Sequence, residues 1–237
     1  MSSTTTASGG MKLIGVNISG GEFGSVPGTM NTDYVYPSQQ EIDYYASQGM
    51  TVIRVPFLAE RIWQNGSLSQ PDLQALQNVV SEAAKDNVAV DLDMHDYGYI
   101  SGNEILPGNS TEQEYDQIWG ALATQFKSDP NVIFGLMNEP NQQSPTQQAT
   151  IDNDAIAAIR QTGANQEVFV PGTDWTGGWT WVSSGNAAAI NPSTIVDPDH
   201  NWAIEVHQYL DSDGSGTNYG PITDPNIGVE RLTSVTQ

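Results

Sequence analysis

The sequence predicts an α/β fold in which helices cover a parallel sheet. Short apolar segments alternate with amphipathic segments along the whole chain, and no linker separates a second domain. Such alternation is typical of parallel strands joined by helical crossovers. Six predicted strands fit either an open doubly wound sheet or part of a barrel. Because no glycine-rich phosphate-binding motif follows the first strand, the dinucleotide-binding form of the open sheet is not expected.

Short apolar runs bounded by turn residues predict the six strands. They span residues 12–19, 50–57, 88–95, 132–139, 167–171 and 202–210. The fourth run ends in Asn138, Glu139 and Pro140. Because proline cannot continue a hydrogen-bonded ladder, Glu139 is predicted to be the last residue of that strand. Glu139 would then lie at the carboxyl edge of the sheet, where parallel α/β proteins build their sites.

Five helices are predicted between and after these strands from apolar periodicity and capping residues. They span residues 38–49, 73–86, 115–126, 149–163 and 228–237. The segments 98–111, 182–199 and 211–226 are expected to be mostly irregular. Residues 1–10 are of low complexity and are expected to be a disordered leader or linker, followed by one domain over residues 11–237.

The composition limits the classes of partner. Seven Lys and Arg residues face 28 Asp and Glu residues, a net charge of −21. This balance argues against nucleic acid and against anionic membrane surfaces, since both are bound through cationic contacts. Neutral or cationic substrates remain. The absence of cysteine excludes disulfides, thiolate chemistry and cysteine zinc sites. The sequence also contains no transmembrane run and no apolar signal-peptide core.

Polar and aromatic side chains recur near the carboxyl ends of the predicted strands. Each one alone is more simply a structural residue, but carboxyl ends of parallel strands meet at one edge, so together they predict one crevice. The candidates are Arg54, His95, Tyr97, Asn138, Glu139, Trp175, His207 and Tyr209. Strand alternation places Asp91 and Asp93 on the face of His95, and Glu205 on the face of His207. These three carboxylates are expected to make structural hydrogen bonds.

This set of residues favours carboxylate acid/base chemistry on a neutral polar substrate. A metal is not expected, because His95 and His207 lack a matched ligand spacing. A serine nucleophile is not expected either, because the glycine-flanked elbow motif is absent. Glycoside hydrolysis uses two carboxyl groups, and Glu139 is the candidate acid. Arg54 would hold the charge on a second carboxylate, and Asn138 would bind the sugar. The indole faces that would stack on sugar rings are Trp175, Trp179 and Trp181.

Four segments resemble the strand-end motifs of glycoside hydrolase family 5, most closely its secreted endo-β-1,4-glucanases. They are residues 53–56 (IRVP), 93–97 (DMHDY), 136–140 (LMNEP) and 206–216 (VHQYLDSDGSG), in the family's order. The resemblance implies a (β/α)8 barrel and retaining double-displacement hydrolysis of β-1,4-glucan, without a cofactor. By position it implies Glu139 as general acid/base. The implied supporting residues are Arg54, His95, Asn138, His207 and Tyr209, with Trp175, Tyr97 and Trp179 as substrate-binding residues. A secreted monomer acting on cellulose or carboxymethylcellulose is expected.

The sequence departs from the family at the nucleophile. The family places a glutamate after the seventh strand, and no residue of this chain matches that position. About six of eight β/α units are therefore expected, in a catalytic domain that is incomplete at its C-terminal end, and the isolated chain is expected to be weakly active or inactive. Three alternatives remain: a mannanase or other β-glucanase of the same family, a non-catalytic glycan-binding protein, and, more remotely, an open-sheet esterase.

Overall fold

The computed structural model describes residues 13–236 of the chain. The predicted leader at residues 1–10 lies outside the described residues. So do Lys12, the first residue of the first predicted strand, and Gln237, the last residue of the final predicted helix.

The described residues form ten strands and seven helices. The strands are β1 (Gly15–Asn17), β2 (Val52–Phe57), β3 (Trp63–Gln64), β4 (Ser67–Leu68), β5 (Ala89–Met94), β6 (Tyr99–Ile100), β7 (Asn103–Glu104), β8 (Val132–Gly135), β9 (Val168–Val170) and β10 (Trp202–Ile204). The helices are α1 (Gln39–Ser47), α2 (Ala59–Ile62), α3 (Gln70–Lys85), α4 (Ser110–Phe126), α5 (Pro145–Gln161), α6 (Asn186–Ala189) and α7 (Ile227–Thr236).

One parallel sheet of six strands organises the fold, in the order β1-β2-β5-β8-β9-β10. Each strand pairs with the one that follows it in this order, so the sheet is wound in a single direction. A doubly wound sheet would reverse its strand order at a switch point. The order therefore matches a β/α barrel and not the open alternative. Within residues 13–236, β1 and β10 are the two edges and do not pair with each other.

The apolar core lies between this sheet and helices α3, α4 and α5. Right-handed crossovers of one winding direction place the connecting helices on the same face of the sheet. Trp119 of α4 is fully buried and makes edge-to-face contacts with Phe57, Tyr115 and Phe134. Each such aromatic pair adds about 0.5–1.5 kcal/mol beyond its area burial. The opposite face of the sheet carries polar side chains, including Arg54, beside apolar ones.

Several helices begin earlier than their apolar periodicity predicted. Helix α4 begins at Ser110 and not at Tyr115, because the side chain of Asn109 caps it by accepting from the Glu112 N–H. Helix α5 begins at Pro145 and not at residue 149, because Ser144 and Gln147 form a capping box. The first turns of both helices are mostly polar, so capping and not apolar spacing sets where they start.

Two predicted strand ends are wrong, and both lie at the polar edge of the sheet. Strand β8 ends at Gly135, so Glu139 is not a strand residue but lies in the following loop with a φ of 46°. Strand β10 ends at Ile204 and not at residue 210. Beyond it, His207 forms a single bridge with Gly177, which belongs to the loop after β9. Loop–loop hydrogen bonds therefore replace the sheet ladder at this edge.

The structure also contains short elements that were not predicted. Antiparallel hairpins β3-β4 and β6-β7 extend the loops after β2 and β5, and α6 lies within the segment predicted to be irregular. The predicted final helix is present as α7, beginning one residue earlier, at Ile227. Among residues 13–236, none of the helices combines the length and the apolar character needed to cross a membrane.

Candidate active site

Arg54 lies on the face of the sheet opposite the apolar core, where its guanidinium contacts residues of two other strands and of the segments that follow two more. It donates to Asn138 Oδ1 at 2.9 Å and to Asn17 Oδ1 at 3.1 Å. It also forms ion pairs with Asp93 at 2.8 Å and with Glu205 at 3.3 Å. The planar guanidinium carries five N–H donors in a fixed geometry, and this set of contacts uses that geometry. Arg54 therefore holds the side chains of distant strands in one arrangement.

His207 bridges the two glutamates of the site. Its Nδ1–H donates to Glu139 Oε1 at 2.7 Å, and its Nε2–H donates to Glu205 Oε1 at 3.1 Å. Burial alone would lower the pKa of His207, but the hydrogen bonds to both carboxylates outweigh it and raise the pKa to about 9. The imidazole is therefore charged at neutral pH, when both ring nitrogens donate. Tyr209 completes this group, with its hydroxyl 3.4 Å from Glu139 Oε1.

A second histidine is oriented by the carboxylate below it. His95 Nδ1 lies 2.6 Å from Asp93 Oδ2, and its Nε2 lies 3.3 Å from the Tyr97 hydroxyl. A carboxylate on one ring nitrogen fixes which nitrogen of a neutral imidazole carries the proton. Asp93 thus contacts both His95 and Arg54 and couples the two sides of the site. The expected alternation of Asp93 and His95 on one strand face is present.

The carboxylates beneath the site differ in their ionisation. Burial, with the neighbouring charges of Glu205 and Asp93, raises the pKa of Asp91 well above its usual range. Burial would also raise the pKa of Glu205, but hydrogen bonding from His207 and the charge of Arg54 outweigh it and lower that pKa. Glu205 is therefore an anion held by two cations, and its contacts are the structural hydrogen bonds expected for it.

Glu139 reaches the site from a loop and not from a strand. The Asn138 N–H donates to Met94 O at 2.7 Å, which keeps the chain beside β5 after β8 has ended. Glu139 then adopts a left-handed backbone conformation, which is uncommon for residues other than glycine. Strained backbone of this kind clusters at functional sites. This conformation directs the Glu139 carboxylate toward His207 and Tyr209.

An open cleft of about 510 Å³ borders Glu139 and His207 on one side. Trp175 and Trp179 line it, and their side chains are 51% and 54% exposed. Tyr97, beside His95, is also exposed. The expectation that Trp181 presents a stacking face is wrong, because Trp181 is buried in the core. A separate cavity of about 540 Å³ lies over Arg54 and Glu205.

Two residues that the sequence analysis did not select support this site. Asn17, at the end of β1, accepts from Arg54 and matched no catalytic motif. Arg231, from α7, donates to Tyr209 O at 2.7 Å and lies 5.1 Å from the ring centroid of Trp179. The position of Arg231 in a terminal helix carries no sequence signal for this contact. Only the docking of α7 against the loop after β10 reveals it.

Comparison with known proteins agrees with this geometry. The family model for Cellulase (glycosyl hydrolase family 5) matches residues 10–237. The chain is 37% identical over 227 residues to endo-beta-1,4-glucanase B of Aspergillus niger, covering 94% of this chain and 66% of that protein. It is 36% identical over 237 residues to an endoglucanase of Neurospora crassa, covering 98% of this chain and 58% of that protein.

The same similarity appears among solved structures. XacCel5A, determined in complex with cellopentaose, superposes with a TM-score of 0.89 at 41% sequence identity. The superposition covers 95% of this chain and 74% of that one. The chain spans about two thirds or less of the length of the curated relatives it matches. The fold is accordingly that of a β/α barrel protein, and the chain belongs to glycosyl hydrolase family 5, the cellulase family.

Proposed function

We propose that this protein is an endo-β-1,4-glucanase that hydrolyses internal bonds of β-1,4-glucan with retention of configuration. The observation that carries the proposal is the position of Glu139. Its carboxyl group borders an open aromatic cleft, within hydrogen-bond distance of His207 and Tyr209. Family membership and the names of the relatives support the same activity.

Glu139 is proposed as the general acid/base. In the retaining mechanism this group gives a proton to the glycosidic oxygen as the C1–O bond breaks, and a second carboxylate attacks C1. Glu139 later takes the proton from the water that releases the sugar from that second carboxylate. His207 and Tyr209 hold the Glu139 carboxyl group in place, while Asn138, Arg54 and His95 form the polar wall beside it. Glu205 is already engaged by His207 and Arg54, which argues against it as the nucleophile.

Trp175, Trp179 and Tyr97 are proposed to bind the glucan chain. Aromatic rings present flat apolar faces with a polar edge, which suits the apolar faces of pyranose rings. The related XacCel5A was solved with cellopentaose, which supports cello-oligosaccharides as ligands.

The test compares reducing-sugar release from carboxymethylcellulose and from mannan by the purified chain and by Glu139→Gln. Cellopentaose binding is measured in parallel by calorimetry. Hydrolysis of the cellulose derivative alone, lost in Glu139→Gln, would support the proposal and would mean that this chain contains a nucleophile that its motifs do not identify. Faster hydrolysis of mannan would replace the substrate assignment. Cellopentaose binding without any release would favour the glycan-binding alternative for this chain, while the absence of both would contradict the proposal.

The remaining expectations follow from the proposed substrate. A glucan polymer does not enter cells, so an enzyme that cleaves it acts outside them, and we propose that the protein is secreted. We also propose that it acts as a monomer, since the aromatic residues proposed to bind the glucan all belong to one chain. Light scattering during size-exclusion chromatography measures the oligomeric state directly.

A further inference from the structure

The loop after β9 contains an unusual backbone turn. Asp174, Trp175 and Thr176 have φ values of 58°, 54° and 57°, so three consecutive residues other than glycine are left-handed. L-residues adopt this conformation as isolated residues and at an energetic cost, because Cβ approaches the following carbonyl oxygen. Such a turn persists only when its surroundings over-determine it. Trp175, the exposed indole of the cleft, is its middle residue.

Two buried polar side chains hold the start of this turn. The carboxamide of Asn186 accepts from the Thr173 N–H at 3.1 Å and donates to Thr173 O at 2.8 Å. The Thr173 hydroxyl donates to Gln143 O at 2.6 Å. Asn186 also packs so closely on Gly172 that a Cβ there would lie 2.6 Å from its carboxamide. All of these groups are buried, so each bond is made without competition from water.

The same turn is hydrogen-bonded to both halves of the proposed acid/base site. The Trp175 N–H donates to Pro140 O at 3.1 Å, directly after Glu139. The His207 N–H donates to Thr176 O at 2.9 Å, and the Gly178 N–H donates to His207 O at 2.9 Å. The turn therefore connects the loop that carries Glu139 with the segment that carries His207.

We propose that Thr173 and Asn186 are positioning residues that hold residues 174–176 left-handed, and that they thereby fix Trp175 beside Glu139 for glucan binding. Neither side chain reaches the cleft, so they act through the turn and not on the substrate. The inference rests on the proposed function in one respect, since it takes a cello-oligosaccharide as the ligand of Trp175. The conformational part can be measured without any ligand.

The first experiment measures amide hydrogen exchange over residues 174–178 in the full chain. Thr173→Val is nearly isosteric and removes only the hydroxyl, and Thr173→Ser restores it. Thr162→Val is the matched control, because the Thr162 hydroxyl also donates to a backbone carbonyl, that of Ile159 at 2.7 Å, near the opposite end of the sheet. We expect exchange about fivefold faster in Thr173→Val, the equivalent of one hydrogen bond, and unchanged exchange in the control.

The second experiment is a double-mutant cycle on cellopentaose binding. Thr173→Val should raise Kd about fivefold in the native background. It should add nothing when Trp175 is already Ala, because the residue being positioned is then absent. An equal rise of Kd in both backgrounds would mean that Thr173 has a general structural role, and it would overturn the proposal. Unchanged exchange over residues 174–178, or faster exchange with an unchanged Kd, would also overturn it.

Failure of the glucan assignment and failure of the variant to fold can each be distinguished from failure of the positioning proposal. If the native chain does not bind cellopentaose, the glucan assignment fails, and the exchange result alone decides whether Thr173 holds the turn. If Thr173→Val does not fold, Asn186→Asp takes its place. That variant keeps the acceptor for the Thr173 N–H and removes the donor to Thr173 O.

Discussion

His207 Nδ1 lies 2.7 Å from Glu139 Oε1, although 68 positions separate the two residues in the chain. The same imidazole donates to Glu205 on its other side. The single positive charge of His207 therefore partly compensates the negative charges of two carboxylates. The first of these contacts joins the loop after β8 to the segment after β10. The arrangement of the proposed acid/base therefore depends on the protonation of a histidine.

The raised pKa of His207 predicts a loss of stability in alkaline solution. The folded-state pKa is about 9, above the ordinary value of 6.5. The stabilisation is therefore complete below about pH 6.5 and is lost as the pH rises through 9. We expect Tm to fall over this range in the native chain and to fall less in His207→Gln. The exposed His200 provides the control, since His200→Gln should leave the pH dependence unchanged.

Removing the central cation should destabilise the fold. Arg54→Met leaves Asp93 and Glu205 buried without their guanidinium partner. We expect the free energy of unfolding in urea to fall by about 3 kcal/mol, typical of breaking a buried ion pair. Arg54→Lys should recover only part of this, since a single ammonium cannot reach Asn17 and Asn138 together. An equal loss in the exposed control Lys127→Met would contradict the interpretation.

The rate lost on substituting the proposed acid, Glu139, should depend on the leaving group of the substrate. If the protein hydrolyses carboxymethylcellulose as proposed, Glu139→Gln should lower kcat on that substrate by about 10²–10⁴-fold. Bond cleavage in dinitrophenyl β-cellobioside should fall far less, because that leaving group needs no proton. Pre-steady-state release of dinitrophenol measures this step. Equal losses on both substrates would assign Glu139 a role other than proton transfer.

A half-buried acidic group on α4 should make the fold more stable in mild acid. Burial and the charges of Glu112 and Asp154 raise the pKa of Asp116 to about 7. Because the ordinary value is 3.8, the stability associated with the protonated form is lost as the pH rises from about 4 through 7. Asp116→Asn should therefore raise Tm at pH 8 and leave it nearly unchanged at pH 3.5. Asp43→Asn, on the exposed side of α1, should show no such difference.

The net charge predicts a salt effect on anionic substrates. Four of the seven cationic side chains make contacts inside the protein, namely Arg54, Arg61, Arg160 and Arg231. Among the described residues, the exposed lysines are Lys85 and Lys127. The surface is therefore strongly anionic and should repel carboxymethylcellulose. Binding of that polymer should strengthen as ionic strength rises past about 0.1 M, while binding of neutral cellopentaose stays constant. Equal salt effects on both ligands would contradict this.

The sequence alone predicted the parallel α/β class and selected most of the candidate site residues that the structure brings together. Apolar runs and helical periodicity are local patterns, so they can be recognised without tertiary context. The order of four motifs then indicated the family. Asn138, Glu139 and His207 were selected because they follow such runs. The two predicted strand ends that are wrong, after β8 and β10, lie where loop–loop hydrogen bonds replace the sheet ladder. No local sequence pattern records those bonds.

Tertiary structure alone decided how these residues work together. The contacts of Arg54 with Asn17 and Glu205 bring together residues 37 and 151 positions away in the chain. The left-handed turn at Trp175 exists because Asn186 and Gln143 approach it from other parts of the fold. Left-handed residues other than glycine are locally unfavourable, so the sequence around them predicts a different conformation. Their geometry is set by the buried hydrogen bonds that the complete fold supplies.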